Sequence, residues 1–233
     1  HNDAIQGWNW NDKLGITNKN VVIDSNYIQS QTVTYLALAS PGMQGISIFD
    51  GFWQNVSITN NVVLTSTLAG ITIAGVNGLH IIDNSVMNIP FNGVSQSLMY
   101  WMFSGVTWIT AGGTTREGGA TSNVIVRNNI APLIAATTAT SGNCPITESF
   151  CGHTANPYVE QDHNLSLVQT SYTAQNLFLT FNISTAQYNL ALKGTAATSP
   201  AIGKGSSSLM PTIDFLGRSR NPASPGLGAY AFP

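Results

Sequence analysis

Charge is what this chain has least of. Its 233 residues include 8 Lys and Arg and 10 Asp and Glu, so only 8% are charged, against about 25% in an ordinary soluble domain. With so few cations there is no basic surface for phosphate contacts, which argues against a nucleic-acid partner. A helical bundle is disfavoured too, because helices carry their solubility on Glu, Lys and Arg. No apolar run is long enough to span a bilayer. No nucleophile elbow, P-loop or dinucleotide fingerprint occurs. Cysteine is down to two residues, Cys144 and Cys151. With only His153 close by they make a poor zinc site. A disulfide closing that small loop is the first reading and reduced, buried thiols the alternative. The disulfide suits an extracellular or periplasmic setting or a virion surface.

What fills the gap is Gly, Ser, Thr, Asn and Gln around a 43% hydrophobic complement. That composition favours an all-β chain with a neutral, amide-rich surface. Four segments superpose: Asn20-Val-Val-Ile-Asp-Ser-Asn26, Asn55-Val-Ser-Ile-Thr-Asn-Asn61, Gly78-Leu-His-Ile-Ile-Asp-Asn84 and Asn123-Val-Ile-Val-Arg-Asn-Asn129. Each is apolar at its second and fourth positions and ends in Asn. Period-two alternation is a half-buried strand, and the closing Asn marks a turn. A second column aligns Gln44-Gly-Ile-Ser-Ile48, Ala69-Gly-Ile-Thr-Ile73 and Asn92-Gly-Val-Ser-Gln96, with Asp3-Ala-Ile-Gln6 as its start. The tightest spacing is 23 residues, from Asn61 to Asn84. Short strands recurring at that period are the sequence form of a parallel β-helix. Asn26, Asn61, Asn84 and Asn129 then lie one above another. A β-sandwich with Asn-rich turns is the competing fold, but it does not explain a seven-residue pattern that returns four times.

The chain reads as one domain over 1–233. Residues 1–131 carry regular coils, interrupted by a loop insertion at 97–122. Residues 132–160, with the cysteine pair, read as a surface excursion. Residues 161–233 supply the last strands and a tail expected to cap the open end of the core. The chain opens inside what looks like a folded motif, as the C-terminal part of something longer would. Asn55, Asn164 and Asn182 each begin an Asn-x-Ser sequon, of consequence only in a eukaryotic source.

The Asn column and its alternating strands resemble the pectin-lyase-like right-handed parallel β-helix superfamily. The ending, Ser199-Pro-Ala-Ile-Gly-Lys-Gly205, Asp214-Phe-Leu-Gly-Arg-Ser-Arg220 and Gly226-Leu-Gly-Ala-Tyr230, is similar to the usual close of such proteins, as is Asp162-His-Asn-Leu165 before it. The resemblance implies a right-handed solenoid with Asn-stacked turns. It implies little about activity, since the superfamily holds lyases, hydrolases, epimerases, tailspikes and adhesins, and function is argued from the site.

Three places are candidates for chemistry. His1-Asn-Asp-Ala-Ile-Gln6 resembles a His-x-Asp-x-Ile-Gln element of some bacterial β-helix proteins, followed on the next coil by Gln44 and Asp50. His1, Asp3 and Gln6 then form a catalytic cluster in which Asp orients a His base, or else a polar group that merely satisfies a turn. Trp8, Trp10, Phe49, Phe52 and Trp53 gather near the same corner. Outward rings on an amide-rich surface suit sugar stacking, or cover a subunit interface. His80 should face outward, stacked with Ser57 and Ile125. No plain carboxyl dyad of the glycosidase kind appears, and no calcium-type loop is present, so no cofactor is assigned and no metal ligand named. The expectation is an extracellular, periplasmic or virion-surface protein that engages polysaccharide, as a lyase, epimerase or depolymerase. The alternative is a non-catalytic receptor-binding or adhesive module such as a tailspike, for which a homotrimer is the natural assembly.

Overall fold

Among the described residues, three parallel sheets of five strands each make up the body of the protein. They are seen in a computed structural model that describes residues 3–8, 17–30, 43–48, 51–67, 69–89, 108–111, 121–136, 138–139, 153–154 and 159–232. The first sheet holds β1 (Asp3–Gly7), β4 (Gln44–Ile48), β7 (Ala69–Ile73), β10 (Trp108–Ala111) and β13 (Leu133–Ala136). The second holds β2 (Asn18–Asp24), β5 (Trp53–Thr59), β8 (Val76–Ile82), β11 (Ser122–Arg127) and β16 (Val159–Asp162). The third holds β3 (Tyr27–Gln29), β6 (Val62–Thr65), β9 (Ser85–Asn88), β12 (Ile130–Ala131) and β17 (Leu165–Ser166). The chain visits the sheets in that order and then begins again one strand over. The result is an all-β stack of coils, consistent with a parallel β-helix.

The seven-residue pattern explains the second sheet. Its second and fourth positions are the buried ones: Val56 and Ile58, Leu79 and Ile81, Val124 and Val126. They pair in register across the coils and meet Ile46, Ile48, Ile71 and Ile73 of the first sheet in one apolar core. Burial of that kind contributes about 25 cal/mol per Å² of apolar surface.

Two positions per coil carry backbone strain. The first residue of the pattern is left-handed in Asn20 (φ 59), Asn55 (φ 55), Gly78 (φ 78) and Asn123 (φ 52). The sixth is left-handed in Ser25 (φ 54), Asn60 (φ 54), Asp83 (φ 57), Asn128 (φ 58) and His163 (φ 49). Asn, Asp and Gly visit this region most readily, because a short polar side chain bonds locally or no Cβ clashes. The sixth position turns the chain from the second sheet into the third. The seventh bonds the turn across coils. Asn61 accepts on Oδ1 from Asn26 N (3.0 Å) and Nδ2 (2.9 Å), and Asn84 accepts from Asn61 N (3.0 Å) and Nδ2 (2.9 Å). Asn129 serves Asn84 in the same way, and Asn164 serves Asn129. Asn61, Asn84 and Asn129 are fully buried.

Three expectations about layout change. Trp108–Ala111 lies inside the segment read as a loop insertion, yet it forms β10 and sits beside β7. That place was assigned to Asn92–Gln96, which fall outside the described residues. Leu133–Ala136 and Val159–Asp162 lie at the two ends of the segment read as an excursion, and both belong to sheets. Between them Thr138–Ala139 (β14) and His153–Thr154 (β15) pair antiparallel; Cys144 and Cys151 lie outside the described residues. The tail does not behave as a simple end cap. After the hairpin of β18 (Phe178–Asn182) and β19 (Gln187–Leu192), Ala201, Ile202, Leu227, Ala229 and Tyr230 pack with Val62, Leu64, Met87, Ile130 and Leu165. The physical reason is that the third sheet is apolar on both sides: Val62 and Leu64 need a cover as much as Val63 needs the core. The tail is pinned across three coils. Arg220 Nη2 donates to Asn60 Oδ1 (2.7 Å), Ala229 N to Ser85 Oγ (3.0 Å), and Ser206 N to Asn128 Oδ1 (2.8 Å).

Close packing between coils leaves no room at Gly45. A Cβ there would fall 2.0 Å from the Gly70 carbonyl oxygen and 2.6 Å from a Val63 methyl. Neither a backbone carbonyl nor a core side chain yields easily. Gly45→Ala should therefore cost about 3 kcal/mol. A urea titration checks this: the midpoint falls while the slope stays constant.

Candidate functional site

The corner predicted to be catalytic is partly assembled. Asp3 pairs in register with Gln44, and Gln6 with Ser47. Burial pushes the Asp3 carboxyl above its usual range, while a bond from Ser47 pulls the other way. Gln44 is buried, and its Oε1 accepts from Ser47 Oγ at 3.3 Å. Gln6 is exposed. Trp8 is 57% exposed. Trp53 is only 7% exposed, shares a column with buried Val76, and its ring lies 3.2 Å from where a Cβ on Gly7 would stand. Its indole serves the core and offers no face to a sugar. His1, Trp10, Phe49 and Asp50 lie outside the described residues. The corner therefore joins Asp3 to Gln44 and Ser47, with Gln6 and Trp8 at its rim.

A second constellation lies on the outer face of the second sheet, built by residues far apart in sequence. Column by column this face carries Val22, Ser57, His80, Ile125 and Glu160, then Asp24, Thr59, Ile82, Arg127 and Asp162. His80 stands between Ser57 and Ile125, as its place in the pattern suggests. Asp24 and Arg127 share a column three steps apart. Arg127 is held by the next coil: Nε donates to Asp162 Oδ1 (2.6 Å) and Nη2 to Asp162 Oδ2 (2.7 Å), a bidentate fork. The same Nη2 also donates to Glu160 Oε1. His163 Nδ1 lies 3.0 Å from Asp162 Oδ1.

The electrostatics follow from that fork. Arg127 holds the Asp162 carboxyl below its usual range against the opposing effect of burial. The two carboxylates hold the proton on Arg127 more firmly still, Asp162 foremost. Burial, then the nearby Arg127 charge, lowers the pKa of His80, so its imidazole is neutral at pH 7. The face thus offers the Asp162 carboxylate, a neutral imidazole and the hydroxyls of Ser57 and Thr59, set among the apolar Val22, Ile82 and Ile125. Its one buried cation is already matched. Among the described residues no three His, Cys, Asp or Glu side chains gather as a metal-holding group, and no helix is long and apolar enough to cross a membrane.

The sequence carried a signal for this group. Tyr158-Val-Glu-Gln-Asp-His-Asn164 keeps the apolar second position and the closing Asn of the pattern. Gln161 breaks the fourth position and hides the copy. It is exposed, on a strand at the edge of its sheet, where a polar side chain costs little. Asn164 is tied into the turn, with Nδ2 donating to Val126 O at 2.7 Å. Its sequon is thereby set apart from those at Asn55 and Asn182, which are exposed. No protein-family model matches the chain, and no match to it is found among curated proteins or solved structures.

Proposed function

We propose that this chain is a right-handed parallel β-helix of the pectin-lyase-like kind that works outside the cytoplasm and engages polysaccharide along the outer face of its second sheet. The observation that carries the reading is the composition of that face. Asn55, Ser57, His80 and Asn123 lie across successive coils and lead to the Arg127–Asp162–Glu160 group. Five strands at about 4.8 Å make a strip about 19 Å long, where amide, hydroxyl and carboxylate groups are interspersed with Val22 and Ile125. Those groups suit the hydroxyls of an extended glycan. The repeated strands and the Asn-to-Asn bonds support the family reading. Trp8 adds a ring at the neighbouring corner on which a sugar can stack.

As an enzyme, the chain is a lyase, epimerase or depolymerase. The carboxyls available for proton transfer are Glu160 and Asp162 on this face and Asp3 at the corner. The bidentate hold of Asp162 on Arg127 favours a second reading, a non-catalytic receptor-binding or adhesive module. A cation so matched is poorly placed to neutralise a uronate. A homotrimer is the assembly that this second reading brings with it.

A panel of neutral and acidic polysaccharides, scored for retention, unsaturated products and new reducing ends, separates the readings. The enzyme reading expects product that falls at least 100-fold in Glu160→Gln or Asp3→Asn with retention kept. The module reading expects retention without product. Trp8→Ala should weaken retention several-fold under either. No retention and no product across the panel would remove polysaccharide from the account.

A further inference from the structure

The left-handed sixth position of the pattern is used differently in the last coil. In the middle coils its side chains hold the tail: Asn60 bonds Ile213 O and Arg220, Asp83 lies against Arg220, and Asn128 bonds Ser206. His163 (φ 49) holds nothing of the tail. Its ring is 46% exposed, and its bond among the described residues is the 3.0 Å contact of Nδ1 with Asp162 Oδ1. A histidine kept in a left-handed turn without a structural bond to earn its place is a pointer to function.

Asp162 fixes which ring nitrogen carries the hydrogen. Its Oδ1 accepts from Arg127 Nε (2.6 Å) and its Oδ2 from Arg127 Nη2 (2.7 Å). Those bonds keep the carboxyl ionised, with burial opposing and the His163 contact assisting. An ionised carboxylate only accepts. His163 Nδ1 must therefore donate, and in the neutral ring the lone pair sits on Nε2. Exposure rises along the series, 6% for Arg127, 35% for Asp162 and 46% for His163. A buried cation anchors a carboxylate, which orients a ring at the surface.

We propose that His163 is a catalytic general base, positioned by Asp162 and Arg127, for hydrolysis of acyl esters carried on sugar hydroxyls. Nε2 takes a proton from water as the water oxygen bonds to the acyl carbon and the carbonyl pair moves onto its own oxygen. That pair returns as the bond to the sugar oxygen breaks, and the sugar oxygen takes the proton back from Nε2. Ester and water become acid and alcohol, and the ring ends as it began. Between the two steps the Asp162 carboxylate offsets the charge on the ring. Ester cleavage fits this group because one residue supplies both proton transfers. Glycosidic cleavage calls for a carboxyl pair, and both carboxyls here are bonded to Arg127. Proton removal from a uronate calls for a free cation, and Arg127 is matched. The sugar in this assignment rests on the polysaccharide reading above; the base does not.

The test uses the full chain with p-nitrophenyl acetate, an ester without a sugar, and with chemically O-acetylated xylan. Release of p-nitrophenolate per mole of protein should exceed that of free imidazole at the same pH by about tenfold or more. His163→Asn should lower it about 100-fold, the low end of what a positioned base contributes. Asn is the residue this column already holds at positions 60 and 128, so the fold is kept. Nitrogen-15 spectra give a readout independent of turnover: the wild-type ring should be the Nδ1–H form, and Asp162→Asn should move it toward Nε2–H. A rate no faster than free imidazole, a rate or acetate release untouched by His163→Asn, or an Nε2–H ring in the wild type would overturn the proposal. Turnover of p-nitrophenyl acetate that depends on His163, without acetate from the xylan, would support the base and count against the polysaccharide reading instead.

Discussion

Asn84→Ala should be the most damaging single substitution outside the apolar core. The side chain is fully buried and makes bonds in both directions. It accepts from Asn61 N and Nδ2, and donates to Asn129 Oδ1, Ile58 O and Ile82 O. Truncation leaves at least two buried polar groups unmet on neighbouring coils. At about 1–3 kcal/mol for each unsatisfied group, the loss is about 2–6 kcal/mol. That is a substantial share of the stability of an ordinary domain, about 5–15 kcal/mol. The same change at Asn26, which heads the series and is only half-buried, removes the Nδ2 bonds to Asn61 Oδ1 and Asp24 O and leaves the backbone N–H bond to Asn61 in place. It should cost about 1 kcal/mol. Urea or thermal unfolding of both variants checks the contrast. Equal effects at 26 and 84 would mean that the asparagines act singly and are not joined between coils.

The second large effect concerns the tail. Arg220 and Asp83 are both buried, with Nη1 3.4 Å from Asp83 Oδ1. Arg220 also ties down Asn60 Oδ1 and Gly228 O. Burial pushes the Asp83 carboxyl up to about 7, while Arg220 and Asn128 oppose it. Burial likewise lowers the pKa of Arg220, with Asp83, Asp214 and Asp24 opposing it and Arg218 adding to the effect. The folded value of Asp83 lies above the unfolded one near 4, so the fold favours its protonated form. That contribution to stability is complete below pH 4 and is lost as pH rises through about 7. Asp162 and Asp214 are shifted downward. Their contributions are present above pH 4 and are lost only in stronger acid, outside the Asp83 window. Removing one partner of a buried pair costs about 3–5 kcal/mol, because the other charge is stranded. Arg220→Met should show that loss at pH 8 and a smaller one at pH 5, where Asp83 is neutral. Asp83→Asn should flatten the slope of stability between pH 4 and 7. A wild-type stability that rises with pH across this window would contradict the assignment.

The interior was legible because each coil faces the same constraint. Val56, Leu79 and Val124 occupy one column, and only an apolar side chain suits it. Loops between coils face no such constraint, and that is where sequence reading loses its place. Trp108–Ala111 has the alternation of a strand, but its distance from Ala69–Ile73 is set by a long insertion rather than by the repeat. The third sheet offered a clue in Val62-Val-Leu64. Three apolar residues in a row mean both faces are covered, and the tail is the cover. For the site, Asp3 with Gln44 and Gln6 with Ser47 follow from aligning two strands. Arg127 with Asp162 needs the fifth copy of the pattern, which Gln161 obscures. Trp53 misled because aromatic rings near a corner look alike in sequence whether they face sugar or core. Its register with Val76 decides which.

The account stands on vertical stacking of coils, and one distance tests it. Val22 and Glu160 are 138 residues apart in sequence but share an outward column four strand steps long. Spin labels at these two positions, with Cys144 and Cys151 replaced by serine, should give one narrow distance distribution centred near 19 Å, four spacings of about 4.8 Å. A centre beyond about 30 Å, or a broad distribution under native conditions, would contradict the stacked register.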